Sequence, residues 1–252
     1  MPRVMRRACP GPWAALATAL AVAVAGCSAG PTSRGTAAVG SGASTCVNRV
    51  TPDCAAYTYA SPRAGTVVVT APRSSAINNR EFFWSPSGSV GTDQTVCATF
   101  ATGRGLDQQG GVLRMASPAP GRVSGVTVTR NVWMGAFDVF NFHVWDTRLD
   151  TASVFLQFGT TIVPTLPVAP AVYPRNMCAR TVTATGTVQF VVWTPGQPQP
   201  SWGSTTQGGQ ATLPAGTSTT GRAGWFAGHL RPGTSMTYTN LAVDGVVPGD
   251  LP

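Results

Sequence analysis

The 252-residue chain has no lysine, a single glutamate (Glu81) and only two histidines, His143 and His229. Charged residues make up just 10% of it. With strong helix formers this scarce and no sustained 3.6-residue apolar period, a helical domain is excluded. The lone glutamate also excludes the two-glutamate strand face on which many retaining glycosidases hold their carboxyl groups about 5 Å apart. No Asp stands two or four residues from Glu81. Asp138 and Asp146 share a strand face but lie about 27 Å apart at about 3.4 Å per residue, too far to act as a direct pair. A mechanism assembled from Asp residues on other strands stays open. There is no GxSxG elbow, and two imidazoles without a motif read as structural hydrogen-bonding groups rather than catalytic ones. The cysteines lack the paired CxxC spacing of zinc sites, so neither a metal nor a cofactor is expected. All 17 basic residues are Arg, scattered rather than striped with aromatics, so no nucleic-acid partner is expected.

What the chain does have is 29 Gly, 21 Pro and an abundance of Thr, Val and Ser. This composition favours short strands and frequent turns. Strand-like runs occur at residues 66–71, 80–84, 95–100, 111–115, 122–133, 137–145, 152–158, 187–194 and 235–243, with Gly, Pro, Asn or Asp in nearly every gap. About ten to twelve strands in one domain imply two packed sheets or a barrel. The Thr- and Gly-rich run from Trp202 to Arg222 reads as a long loop.

The N-terminus carries a second message. Arg3, Arg6 and Arg7 precede thirteen mostly apolar residues from Trp13 to Ala25, the pattern of an export signal too short to span a bilayer. Val24-Ala25-Gly26-Cys27 resembles the bacterial lipobox. The resemblance implies cleavage before Cys27, a diacylglycerol thioether and N-acylation (palmitate) on that residue, and a membrane partner reached through the lipid. Two or three chains hold durably where one does not, since each buried methylene adds about 0.8 kcal/mol. The expected location is the outer face of the cytoplasmic membrane. Residues 1–26 are then signal, 27–45 a lipidated flexible tether with a reach of about 23 Å, and 46–252 a single β-sandwich domain. Loss of the signal's three Arg leaves fourteen Arg against nine acids, a net charge of +5. Four cysteines remain for disulfides in an oxidising compartment. The favoured pairing of the three possible is Cys46–Cys54, around a short Pro-containing loop, and Cys97–Cys178, inside strand-like runs.

Three segments carry a fold-level resemblance. Gln108-Gln-Gly-Gly-Val-Leu-Arg114 resembles the laminin-G-like strand that ends in a Leu-Arg pair. Phe190-Val-Val-Trp-Thr-Pro-Gly-Gln-Pro-Gln-Pro-Ser-Trp202 is similar to a strand and turn of bacterial concanavalin-A-like modules. Met236-Thr-Tyr-Thr-Asn-Leu-Ala-Val-Asp-Gly245 resembles their closing strand, with Thr239 or Asn240 where an acid usually stands. In this order they imply an all-β, two-sheet antiparallel β-sandwich, a concanavalin A-like jelly roll. Its first and last strands lie side by side, and its concave sheet often cradles saccharide. The missing acid leaves calcium or catalysis at that strand in doubt.

The segment from Trp133 to Asp146 is the candidate binding surface. At period two, Met134, Phe140, Phe142 and Val144 face one way, as a sandwich core would. Trp133, Asn141, His143 and Trp145 face the other, combining flat rings with hydrogen-bonding groups as a saccharide surface requires. The alternative is that both faces lie beneath loops. Trp193 reads as core and Trp202 as edge packing; Trp225-Phe226 with His229 lies where a loop could cover a cleft, but a core or edge role is the favoured reading for Trp84, Trp193, Trp202 and Trp225 alike. The leading functional reading is a non-catalytic carbohydrate-binding or envelope-associated lipoprotein whose partner is envelope or external polysaccharide. The alternatives are a structural or protein-interacting envelope lipoprotein without a sugar site, and a divergent glycoside hydrolase.

Overall fold

A computed structural model describes residues 44–46, 57–74, 79–84, 90–104, 107–119, 122–131, 138–146, 155–163 and 173–244. Cys27, Cys54 and Trp133 lie outside the described residues, as does the side chain of Cys46. The lipid anchor and the Cys46–Cys54 bridge therefore remain sequence-based expectations.

The described residues form fifteen strands. One sheet, sheet A, runs in the order β1 (Ser44–Cys46), β4 (Arg80–Phe83), β14 (Gly221–Gly228), β7 (Gln108–Ala119), β8 (Arg122–Asn131), β9 (Asp138–Asp146), β10 (Phe155–Val163), with β5 (Val90–Gly91) paired to β14. Sheet B runs β13 (Gly208–Thr212), β12 (Thr187–Trp193), β11 (Arg175–Val182), β6 (Thr95–Thr102), β15 (Ser235–Val243), β3 (Thr66–Thr70), β2 (Thr58–Arg63). Every strand pair is antiparallel. The closing strand β15 lies beside β3, near the start of the domain, so the fold is a two-sheet antiparallel β-sandwich of the jelly-roll type. Among the described residues the only helical segment is the 3-10 turn Thr183–Thr185, closed by Gly186 at φ 60, where a side chain would be strained.

Alternation along each strand builds the core. Val67, Val69, Val96, Phe100, Leu113, Val126, Val128, Phe140, Phe142, Phe190, Trp225 and Tyr238 turn inward from both sheets. Some polar groups between the sheets are held by specific partners. Arg130 Nε sits 2.7 Å from Asp138 Oδ1, and Arg130 Nη1 donates to the Tyr173 hydroxyl. The buried Glu81 accepts from the Tyr57 backbone N–H at 2.8 Å and from the Tyr59 hydroxyl, joining β4 of one sheet to β2 of the other.

Three expectations need correction. The run from Trp202 to Arg222 is not one long loop: Gly208–Thr212 pairs with β12 as the edge strand β13, and β14 begins at Gly221. Thr- and Gly-rich sequence hid this strand because its neighbours, rather than its own side chains, supply the packing. The Leu113-Arg114 pair does not end its strand, which continues to Ala119 through a bulge with Arg114 at φ 51. Arg114 there donates from its backbone N–H to Gln94 Oε1 at 2.7 Å, from Nε to the Thr92 carbonyl at 3.0 Å, and from Nη2 to Thr183 Oγ1 at 2.9 Å. β1 also begins at Ser44, two residues inside the stretch read as tether.

Candidate functional site

Sheet A is strongly curled. Four strands separate β4 from β10, about 24 Å along a flat sheet at about 4.8 Å per strand. Yet the Arg80 guanidinium carbon on β4 lies 5.5 Å from the centroid of the Phe155 ring on β10. The face turned away from the core is therefore a trough.

Part of this trough is filled by a hydrophobic cluster of Phe82, Val112, Met115, Trp145 and Phe226, with Trp84 and Phe155 against it. Trp145 is its centre, 5.6 Å from Phe82, 4.8 Å from Phe155 and 6.0 Å from Phe226 between ring centroids. Another part is a pocket of about 280 Å³. Phe226, Trp145 and Phe155 give it an apolar wall, and Arg80, Gln108, Asn131, Asn141, His143, Gln157 and His229 give it polar ones.

Strand register explains the grouping. In the β8–β9–β10 ladder, Asn141 stands between Thr129 and Thr160, His143 between Thr127 and Gln157, and Trp145 between Gly125 and Phe155. Odd residues of β9 thus share the trough, while Phe140 and Phe142 enter the core, which is the alternation the sequence predicts. Asn141, His143 and Trp145 line one pocket although they are only 2%, 7% and 2% exposed. Trp133, the fourth candidate, lies outside the described residues.

The polar groups are prearranged. Asn141 Nδ2 donates to Gln157 Oε1 at 3.3 Å, Gln157 Nε2 donates to Thr160 Oγ1 at 2.7 Å, and Thr160 Oγ1 donates to Asn141 Oδ1 at 3.2 Å, a closed triangle at the rim. Gln108 Nε2 donates to Asn131 Oδ1 at 3.2 Å. His143 Nδ1 is 3.4 Å from Thr129 Oγ1, and Trp145 Nε1 donates to Thr127 Oγ1 at 2.9 Å. Burial, reinforced by the Arg80 charge, lowers the His143 imidazole to about 4 and that of His229 to about 3. Both rings are consequently neutral near pH 7 and offer one donor and one acceptor each. His229 follows β14 with a left-handed backbone, φ 59, uncommon for a side-chain-bearing residue and seen where the surroundings fix it.

Several of these residues escaped the sequence reading. Arg80, Gln108, Asn131, Phe155 and Gln157 are not candidates in the sequence, and Phe226, placed there only near a possible loop over a cleft, belongs to strand β14. Period-two alternation carries part of the signal, since Arg80 and Phe82 share one face and Glu81 and Phe83 the other. The curl that brings β4 to β10 leaves no mark in local pattern.

Two carboxylates lie on the opposite face of sheet A from the pocket. Glu81 faces the core, where burial raises it to about 7 against the lowering effect of its Tyr59 and Tyr57 hydrogen bonds. Asp138 also faces inward, paired with Arg130. Among the described residues no group of three or more His, Cys, Asp or Glu could hold a metal ion. On the outer face of sheet B, Cys97 and Cys178 are disulfide-bonded as opposed residues of the β6–β11 ladder. Trp193 is buried as expected, in a cluster on the outer face of sheet B with this disulfide, Val191 and Trp202, and Arg180 lies 4.3 Å over the Trp202 ring.

No protein-family model matches the chain, and no curated protein matches it. Among solved structures it is similar to the carbohydrate binding module CBM66 from Bacillus subtilis, with 11% identity over 79% of this chain and 94% of that one and a TM-score of 0.47. It is also similar to the VIP36 exoplasmic/lumenal domain in its Ca2+/Man3GlcNAc-bound form, with 10% identity over 84% and 86% of the two chains and a TM-score of 0.46. A third is the legume lectin-like domain from Entamoeba histolytica, with 7% identity over 76% and 90% of the two chains and a TM-score of 0.46.

Proposed function

We propose that this chain is a lipid-anchored envelope protein, held through Cys27 at the outer face of the cytoplasmic membrane, whose sandwich binds a glycan without cleaving it. The observation that carries the binding half is the trough pocket, where Trp145, Phe155 and Phe226 face amide and imidazole groups. Sugar rings need this mixture: apolar C–H faces rest on aromatic surface while hydroxyls exchange hydrogen bonds with amides and neutral imidazoles. At about 280 Å³ the pocket falls near the lower bound of about 300–1,000 Å³ usual for small-molecule sites, a fit for a terminal sugar or a short stretch of chain. Hydrolysis is the weaker reading, because among the described residues no carboxylate lines the pocket. Cys27 and its lipid rest on the lipobox resemblance alone.

The test is binding of the purified full chain to a panel of mono- and oligosaccharides, followed by calorimetry on those that bind. A dissociation constant at or below about 1 mM, corresponding to about −4.1 kcal/mol, is expected for at least one sugar. Gln157→Ala, which removes an exposed rim amide, is expected to weaken that sugar up to about tenfold with an unchanged melting temperature. No binding by any sugar at millimolar concentration would overturn the reading and favour a structural envelope role. The burial of Trp145 in its aromatic cluster supports that second reading.

A further inference from the structure

Positive charge gathers on the surface at one end of the sandwich. Thr70 pairs with Ser235, Thr102 with Thr237 and Gln108 with Gly228, so the turns 71–74, 103–107 and 229–234 lie at the same strand ends. Each turn carries one exposed arginine: Arg73, Arg104 and Arg231. Backbone contacts fix their spacing. The Gly233 N–H donates to the Ala71 carbonyl and the Ala71 N–H to the Thr234 carbonyl, both at 3.0 Å. A Cβ built at Gly233 would stand 3.4 Å from Arg73 Cγ, so the Arg73 stem lies along the turn that carries Arg231. Asp107 Oδ2 accepts from the Arg104 backbone N–H at 2.7 Å. Burial raises the Asp107 carboxyl against that hydrogen bond and against the charges of Arg104, Arg231 and Arg130, which all act on this one group.

The acidic residues do not offset this charge at the surface. Glu81, Asp107 and Asp138 lie towards this end, and all three are buried. Asp93, Asp146 and Asp244 sit at the opposite strand ends, and Asp150 and Asp250 follow the last two in sequence. The connections at the basic end that fall outside the described residues, 75–78, 105–106, 132–137 and 164–172, contain no charged residue. The segment 47–56, ahead of Tyr57, contains one Arg and one Asp, Arg49 and Asp53. The basic excess therefore stands on the sequence of those segments as well as on the described turns.

We propose that this end of the sandwich is a docking surface for an anionic polysaccharide, whose acidic groups contact Arg73, Arg104 and Arg231 while one unit of the same polymer occupies the pocket. Two features favour that partner. Arg231 stands two residues from His229 and Asp107 is next to Gln108, so the basic turns continue the strands that line the pocket. The chain enters β1 with Ser44 opposite Phe83 and Cys46 opposite Glu81, running towards the basic turns, so the tether joins from the other end and a lipid surface is the poorer match. Exposed charges act over about 10 Å at 0.1 M salt, enough to hold a flexible polyanion without a shaped cavity. This inference rests on the glycan-binding reading and adds a second, electrostatic contact to it.

The experiment compares polygalacturonate with its fully methyl-esterified form, which has the same backbone and no charge. Both are titrated into the full chain by calorimetry at about 0.02 M and about 0.5 M sodium chloride. Polygalacturonate is expected to bind about tenfold or more tighter at the lower salt, and the advantage to fall below about threefold at the higher. Arg73→Gln is expected to weaken polygalacturonate about threefold, the scale of one exposed ion pair, with neutral oligosaccharide binding and melting temperature unchanged. Arg73→Lys retains the affinity. Arg63→Gln removes the same charge at the far hairpin, where Arg63 pairs with Thr66, and is expected to have less than half that effect. Equal affinity for the two polymers at low salt overturns the surface and leaves a neutral glycan pocket intact. Equal losses in Arg73→Gln and Arg63→Gln show that total charge acts rather than this end, and overturn it too. A loss of affinity for phosphatidylglycerol–phosphatidylcholine vesicles in Arg73→Gln as large as the loss for polygalacturonate assigns the turns to the membrane and overturns the partner. Polygalacturonate binding that depends on Arg73, with no neutral oligosaccharide bound, supports the surface and sinks the pocket reading instead.

Discussion

Trp145 Nε1 donates a 2.9 Å hydrogen bond to Thr127 Oγ1 across the β8–β9 pair, fixing the indole against Phe82 and Phe226 while its other side borders the pocket. One side chain thus serves as outer-face core and as pocket wall. Trp145→Ala is expected to cost about 3–5 kcal/mol of stability, as for other buried large-to-small changes. Trp145→Phe keeps most of the ring packing and loses the indole hydrogen bond, about 1 kcal/mol in addition to the smaller volume. Urea denaturation of the two variants measures the contribution of the ring packing, since both changes remove the hydrogen bond, and equal losses would show that the packing carries nothing.

Stability should vary with pH in a shape set by three buried groups. Glu81, raised in the folded chain to about 7 from an ordinary value of 4.5, stabilises fully below pH 4.5 and loses that contribution as pH rises towards 7. His143 and His229, lowered to about 4 and about 3 from 6.5, contribute fully above pH 6.5 and lose it as pH falls. Between about pH 4.5 and 6.5 the two imidazoles oppose the one carboxyl, so stability rises by about 1.4 kcal/mol per pH unit, then falls slightly up to about pH 7, where only Glu81 still titrates, before levelling. Glu81→Gln removes the opposing group and should steepen the rise to about 2.7 kcal/mol per unit over the same window. Thermal melts in matched buffers decide it, and an unaltered slope in the variant would show that Glu81 does not titrate there.

The disulfide between Cys97 and Cys178 closes a loop of sequence separation 81. In the chain-entropy account, a loop of this size stabilises by about 4.5 kcal/mol. Cys97→Ser with Cys178→Ser should lower stability by that order, read from guanidinium midpoints with and without reductant. A wild-type midpoint indifferent to reductant would contradict the assignment.

Replacing the lipobox cysteine tests the anchor. Cys27→Ala in an expressing bacterium is expected to abolish metabolic labelling with a fatty acid and leave an unprocessed, longer chain. Labelling that persists in the variant would rule out Cys27 as the acceptor.

The sheet-forming character of the chain was legible because Val, Thr and Phe alternate with polar residues over most core strands, and β9 shows why. Asn141, His143 and Trp145 fall on one face and Phe140 and Phe142 on the other by period alone. The pairing of Cys97 with Cys178 was also readable from strand-like surroundings. What escaped was set by partners distant in sequence. Strand β13, with two glycines and two small residues in Gly208–Thr212, has no pattern of its own and exists by pairing with β12. Arg80 enters the pocket only because the sheet curls and Gly228 leaves room, neither visible near residue 80. Trp193 alternates with aliphatics as a core residue does, and period two cannot say that its face looks away from the other sheet.

The closed ring of Asn141, Gln157 and Thr160 has an implication for selectivity. Its two carboxamides and one hydroxyl can reverse direction together, each donor becoming an acceptor, with little change in atom positions. An incoming hydroxyl would then meet a complementary partner in either orientation. Under the proposed glycan-binding reading, such a rim would discriminate poorly between axial and equatorial epimers, and stereochemical choice would fall to the rigid rings opposite it.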